Sequence, residues 1–220
     1  MPEQLVQVEN VGKTYNRGGV IETALSRATC SILPGDRIAL VGSSGSGKST
    51  LLHLMGGLDR PTTGHISWPG LGSYERLRPQ QLGFVFQMPS LLPQLTAVEN
   101  VELPLLLGQV ESAEAREAAL EALERINLRV IAEKLPEELS GGQAQRVAVA
   151  RTLASRPKLI LADEPTGQLD LLTAQHLLDV LLNTFKGSET AIVVATHDLA
   201  IAERMSKIWH MNHGVLEVVA

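Results

Sequence analysis

Three stretches of this 220-residue chain combine residue types and spacings suited to chemistry. The first is "GSSGSGKST", which is Gly42, Ser43, Ser44, Gly45, Ser46, Gly47, Lys48, Ser49 and Thr50. Gly42-x-x-x-x-Gly47-Lys48-Ser49 matches the phosphate-binding-loop pattern in full, between a short apolar run and an apolar helical pattern. Glycines there let the backbone curl until its N–H groups converge on phosphate oxygens. Lys48 can then reach the β- and γ-phosphates of a nucleotide, and the Ser49 hydroxyl can ligate Mg²⁺. An ordinary Gly/Ser turn with a surface lysine is the competing reading, and the strand and helix on either side weigh against it.

The second stretch is "LILADEP", in which an apolar run ends in Asp163 and Glu164. Two adjacent acids cannot both sit unpaired in a core, because a buried charge is expensive. Asp163 at a strand end is placed to hold Mg²⁺, and Glu164, one step on, to polarise an attacking water. A third apolar run ends in Thr196-His197-Asp198. His197 there can contact the γ-phosphate, since ligands of open α/β sheets bind outside the carboxyl ends of the strands. Asp198 suits the N-cap of the next helix. Gln87 closes a further apolar run, "LGFVFQ". A loop amide and a sensor of Mg²⁺ or of the attacking water are equally good readings of it. The remaining histidines carry no such argument: His53, His65 and His176 are assigned to helices or loops, and His210 with His213 is too thin a spacing for a metal.

The third stretch, "LSGGQ", raises a question. Leu139, Ser140, Gly141, Gly142 and Gln143 read as a small flexible turn ahead of a helical pattern. A serine hydroxyl and free N–H groups at a helix N-terminus suit an anion. The chain thus carries two phosphate grips.

The elements that must position these residues can be read from hydrophobic pattern. "EQLVQVENV" and "TALSRATCSIL" alternate, as half-exposed strands of an antiparallel sheet do. "RIALVG", "KLILAD" and "TAIVVATH" are nearly continuous apolar runs, the mark of parallel strands buried on both faces. Helical patterns lie between them, in "KSTLLHLMGGL", "LLTAQHLLDVLLNTF" and "HDLAIAERM", which predicts an α/β core. From Met88 to Ser155 the pattern is mainly helical, with Ser112 as the expected N-cap of one helix and Pro157 ending the last. We read residues 88–155 as a helical lobe inserted into a single domain spanning 1–220.

Composition narrows the function classes. A formal charge of -5 lacks the basic footprint of a nucleic-acid binder. The one cysteine, Cys30, excludes an internal disulfide framework and reads as a small buried hydrophobe in a reducing compartment. No leader pattern opens the sequence and no apolar run reaches about 18 residues, so the expectation is a cytoplasmic chain whose membrane part is supplied by another protein.

With these residues assembled, the chain resembles the ATP-binding-cassette ATPase family along its length. The motif order is specific: Gly42 to Thr50, Gln87, "LSGGQ", "LILADEP", "TGQLD" from Thr166 to Asp170, and His197. The resemblance implies a P-loop NTPase core of RecA-like parallel sheet, with an N-terminal antiparallel β subdomain and an inserted helical subdomain. It implies that two copies, or two related subunits, pair head to tail around two ATP molecules. Ser140, Gly141, Gly142 and Gln143 would then grip the γ-phosphate of ATP held by the neighbour. By the same resemblance Tyr15 stacks on adenine, Glu164 is the catalytic glutamate, and Asp170 communicates between subunits. Gln87 becomes the link to an integral membrane permease. Gln168 and Ala144 depart from the commonest family pattern, which touches only the tuning of subunit contact.

The tract "PSLLPQLTAVENVELPLLLGQ" resembles the subgroup serving lipoprotein release, macrolide or peptide export, and cell-division complexes. An apolar groove there would receive a helix of the permease. Three other readings share some of these motifs. DNA-repair and chromosome ATPases need a long coiled coil between the first and third stretches, and no heptad tract exists. Ribosome-associated cassette proteins carry two cassettes, and this chain has one. A regulatory cassette that drives a membrane or cell-wall partner without moving cargo stays open.

Overall fold

The computed structural model describes residues 3–77 and 81–218, so the extreme ends of the 1–220 span lie outside it. Two sheets organise the chain. Strands β1 (Val6–Arg17) and β2 (Val20–Ile32) form an antiparallel hairpin, and β4 (Thr63–Ser67) pairs with the other side of β1. The alternation read in "TALSRATCSIL" is visible in β2, where Leu25, Ala28, Cys30 and Ile32 turn inward. Cys30 is buried, and burial pushes its thiol up to about 12, consistent with a role as packing. His65 falls on β4 rather than on a helix or loop. That strand buries only Ile66, so it offers little alternation to read.

The second sheet has the order β5-β6-β7-β3-β8-β9. It comprises β3 (Arg37–Val41), β5 (Leu82–Val85), β6 (Leu159–Asp163), β7 (Ala191–Thr196), β8 (Lys207–Asn212) and β9 (Val215–Val218). The first five run parallel, and β9 closes the edge antiparallel to β8. Every residue of β6 and β7 is buried, as continuous apolar runs require.

Successive side chains of a strand point to opposite faces, and the core divides accordingly. Ile38, Leu40, Leu159, Leu161 and Val193 pack toward β1, β2 and helix α1 (Lys48–Met55). Ala39, Val41, Ile160, Ala162 and Val194 pack toward the other helices. These are α2 (Ala97–Leu107), α3 (Ser112–Arg125), α4 (Gly141–Ser155), α5 (Leu171–Thr184) and α6 (Leu199–Ala202). Between Met88 and Ser155 the described elements are α2, α3, α4 and two short 3₁₀ turns, with no strand among the described residues.

Helix ends follow local chemistry. Thr96 and Glu99 make a reciprocal capping box at the start of α2. Helix α3 is capped by Glu111, not by the expected Ser112, which is its first helical residue. The Glu111 carboxylate accepts from the N–H groups of Ala113 (2.9 Å) and Glu114 (3.3 Å), where a negative charge also meets the positive end of the helix dipole. Helix α4 stops at Ser155, Arg156 takes a left-handed conformation, and Pro157 follows.

Candidate functional site

Four neighbouring parallel strands end on the same side of the sheet, and each releases one set of the residues singled out by sequence. β5 leads to Gln87, β6 ends in Asp163 before Glu164, β7 leads to His197, and β3 opens into Gly42–Thr50. Ladder register holds them level, with Asp163 opposite Ala195 and Val41 opposite Thr196. The result is a cleft of about 430 Å³, within the ~300–1,000 Å³ range of ligand sites. Ser44, Gly45, Lys48, Ser49, Gln87, Asp163, Glu164 and His197 all line it.

The loop after β3 wraps around the start of α1. Gly47 has φ 109°, and a side chain there would strike the carbonyl of Ala24 on β2 at 2.5 Å. Gly42 is as confined, because a Cβ would collide with the Met211 carbonyl on β8. Glycine is thus required at Gly47 by both backbone conformation and space, and at Gly42 by space. Lys48 is buried and donates from Nζ to the carbonyls of Gly42 (2.8 Å) and Ser43 (3.1 Å). Its Nζ also lies 3.9 Å from Glu164 Oε1.

The two acids have different surroundings. Asp163 is 4% exposed, and burial, its largest influence, raises its pKa against a hydrogen bond with Ser49 that lowers it. One oxygen, Oδ1, is buried without any partner. A carboxylate oxygen in that condition, beside a serine hydroxyl, fits a hard cation. Among the described residues no group of three or more His, Cys, Asp or Glu could hold a metal alone. Ser49 and Asp163 would hold such a cation together with water and oxygens of a bound phosphate.

Glu164 takes a left-handed backbone, φ 46°, a conformation costing about 1–3 kcal/mol in a non-glycine residue. Its N–H donates to the Ala195 carbonyl at 2.9 Å, and its carbonyl accepts from Gly167 at 3.1 Å, which fixes the kink. The kink turns the carboxylate toward His197, whose Nδ1 lies 2.9 Å from Oε2 and 3.0 Å from Oε1. Asp198 caps α6 as expected, accepting from Ala200 N–H.

Among the residues expected from sequence, Tyr15, Ser140–Gln143 and Asp170 are not in the lining of this cleft. Tyr15 is half-buried on β1 and donates its hydroxyl to Asp59 at 3.0 Å, with Lys13 Nζ 5.0 Å from its ring centre. Burial raises its pKa, and a hydrogen bond with Thr50 works the other way, so Tyr15 adjoins the end of the phosphate loop. Asp59, whose pKa is lowered by Lys13, Arg60 and Tyr15 against the opposing and largest influence of burial, was not foreseen from sequence. Only the fold brings it to Tyr15.

The serine–glycine motif is not a flexible turn. Ser140 is the N-cap of α4, its Oγ accepting from Gln143 N–H at 3.2 Å while Gln143 Oε1 accepts from Ser140 N–H at 2.9 Å. Gly141, Gly142 and Gln143 are already the first helical turn. None of Ser140–Gln143 lines the cleft described above. Asp170 likewise caps α5, accepting from the N–H and hydroxyl of Thr173. Gln168 lines the cleft, donates from Nε2 to Met88 Sδ at 3.2 Å, and sets its Oε1 beside Gly141.

The ABC transporter family pattern matches residues 25–167. The lipoprotein-releasing system ATP-binding protein LolD of Legionella pneumophila (strain Lens) is 44% identical, over 98% of both chains. LolD of Pseudomonas fluorescens is also 44% identical, again over 98% of both. Among solved structures, a dimeric post-hydrolysis state of an ATP-binding cassette bound to ADP and Pi superposes with TM-score 0.89. It is 38% identical, over 98% of this chain and 99% of that one.

Proposed function

This chain belongs to the ABC transporter family, and from that premise we infer that it is the ATP-binding and ATP-hydrolysing subunit of a transporter. Two copies pair head to tail around two ATP molecules and power a separate membrane permease. The observation that carries this reading is the separation of the two grips. The phosphate loop forms a cleft with Asp163, Glu164 and His197, while Ser140–Gln143 stand outside that cleft at the tip of α4. A second grip that its own cleft does not use is free for a nucleotide held by another copy.

In the chemistry we propose, the loop N–H groups and Lys48 bind the β- and γ-phosphates. Mg²⁺ would be held by Ser49 and Asp163 with Gln87 beside them, and when bound it neutralises charge on the phosphate oxygens. Glu164 orients the attacking water and accepts its proton, and His197 holds that carboxylate in place. Tyr15 supplies an aromatic surface for adenine.

Residues 88–155 form the helical lobe that meets the permease. A groove of about 270 Å³ lined by Leu58, Phe84, Phe86, Leu103, Pro104 and Leu107 suits an apolar helix. No helix among the described residues is long and apolar enough to cross a membrane. In this reading, attachment to the inner face of the cell membrane runs through the permease. The full-length likeness to LolD favours lipoprotein extraction as the cargo class.

Glu164→Gln tests the assignment. The amide keeps the shape and loses the basicity, so hydrolysis should fall by about 10²–10⁴-fold while ATP is still bound. With ATP, size-exclusion chromatography with light scattering should show the mass of two chains. Normal turnover in this variant would remove Glu164 from the mechanism.

A further inference from the structure

The loop that follows β5 is tied to α4 at both of its ends. Gln145, 1% exposed and one turn in from the Ser140 cap, donates from Nε2 to the Phe86 carbonyl at 3.1 Å. Farther along the helix, Arg151 donates from Nη1 to the Ser90 carbonyl at 3.0 Å and from Nη2 to Ser90 Oγ at 3.1 Å. Six residues of helix rise about 9 Å. The four-residue step from Phe86 to Ser90 can reach at most about 14 Å, so the loop lies along the helix without being drawn straight. Between the two ties sit Gln87, in the cleft, and Met88, which accepts from Gln168.

The ties are specific rather than incidental packing. Gln145 and Thr152 are the polar members of a buried α4 face otherwise made by Val147, Ala148, Val149, Ala150 and Leu153. Gln145 Oε1 is left without a partner, an energetically unfavourable arrangement that an apolar residue would avoid. Arg151 is half-exposed, and its guanidinium reaches both the carbonyl and the hydroxyl of Ser90. Arg151 and Ser90 also line the apolar groove with Leu103, Pro104 and Leu107. One helix therefore reaches from the groove to the Ser140–Gln143 turn and holds the Gln87 loop along the way.

We propose that Gln145 and Arg151 are positioning residues that fasten the 86–90 loop to α4, so that Gln87 and the Ser140–Gln143 turn move as one body. A permease helix seated in the groove then acts on both nucleotide contacts together. The proposal rests on the assignment of Gln87 and Ser140–Gln143 to ATP, and the test separates the two.

The probe is Mg-ATP, added to the full chain in the Glu164→Gln background, with amide hydrogen exchange followed by mass spectrometry. With the ties intact, protection of 42–50, of 87–90 and of 140–144 should rise with ATP at a common midpoint. In Gln145→Met/Arg151→Met the 42–50 midpoint should hold, while those of 87–90 and 140–144 separate by about threefold or more. If that variant does not fold, Gln145→Met and Arg151→Met made singly, which remove one tie each, carry the same comparison. Coincident midpoints in folded variants overturn the proposal, even if exchange is faster everywhere, because that is what a purely structural role would give. If 42–50 responds but the other segments are already independent with the ties intact, the proposal falls and the ATP site stands. No response at 42–50 in any protein removes the ATP site, and the proposal with it.

Discussion

Asp163 shows most plainly how a single residue trades stability for chemistry. Its pKa is raised, chiefly by burial, so the charged form destabilises the fold at any pH above the ordinary aspartate value. Asp163→Asn should then be as stable as the parent or more so at neutral pH, by about 1 kcal/mol, and the gain should vanish as pH drops below that ordinary value. The same substitution should cut ATP turnover by two orders of magnitude or more, of the size seen when a single charge-stabilising group is removed. Thermal melts from pH 3 to 8 alongside ATPase assays check both halves, and a neutral-pH loss of stability would contradict the burial argument. The residues whose placement in the cleft was legible in sequence are those that close an apolar strand run: Asp163, Glu164, His197 and Gln87. Strand ends are visible in pattern, and the sheet levels them automatically. Asp59, Gln145 and Arg151 were not legible, because each acts on a partner 44 to 61 residues away, and nothing local marks them.

At the scale of elements, the buried strands β3, β6 and β7 could be read because continuous apolar runs leave few alternatives. β4 and β9 could not, since most of their length is exposed, and β8 buries only Trp209 and Met211 fully. Capping was half legible: Asp198 was foreseen, whereas a glutamate took the place of Ser112 at α3. The groove over α2 allows a direct test. Leu107 is 65% exposed, so Leu107→Glu should change the chain's own stability by no more than about 0.5 kcal/mol. A charge in that apolar groove should still weaken binding of detergent-solubilised permease and suppress permease-dependent stimulation of ATPase activity. Nucleotide binding should be unaffected. Co-purification and a nucleotide titration measure the two effects, and normal permease binding would place the docking surface elsewhere.

For the whole molecule, the central claim is that each ATP lies between two chains, gripped by the phosphate loop of one and the serine–glycine helix tip of the other. The sequence showed both grips but could not show their spacing. Ser140–Gln143 are not among the residues that line the cleft, and where the tip of α4 sits relative to it is set by tertiary packing, which no local pattern encodes. Two variants break different halves of the shared site. Lys48→Ala removes a charge-assisted contact of about 1.5–3 kcal/mol to phosphate at its own loop. Ser140→Arg leaves its own loop intact and crowds the turn that should approach the neighbour's ATP. Neither should associate with ATP alone, but a mixed pair keeps one whole site, formed by the loop of Ser140→Arg and the turn of Lys48→Ala. The measurement is light scattering of an equimolar mixture with Mg-ATP, each protein also carrying Glu164→Gln. The account predicts a species of two-chain mass in the mixture and in neither protein alone. A Ser140→Arg protein that still forms ATP-dependent dimers with itself as readily as the parent would contradict it.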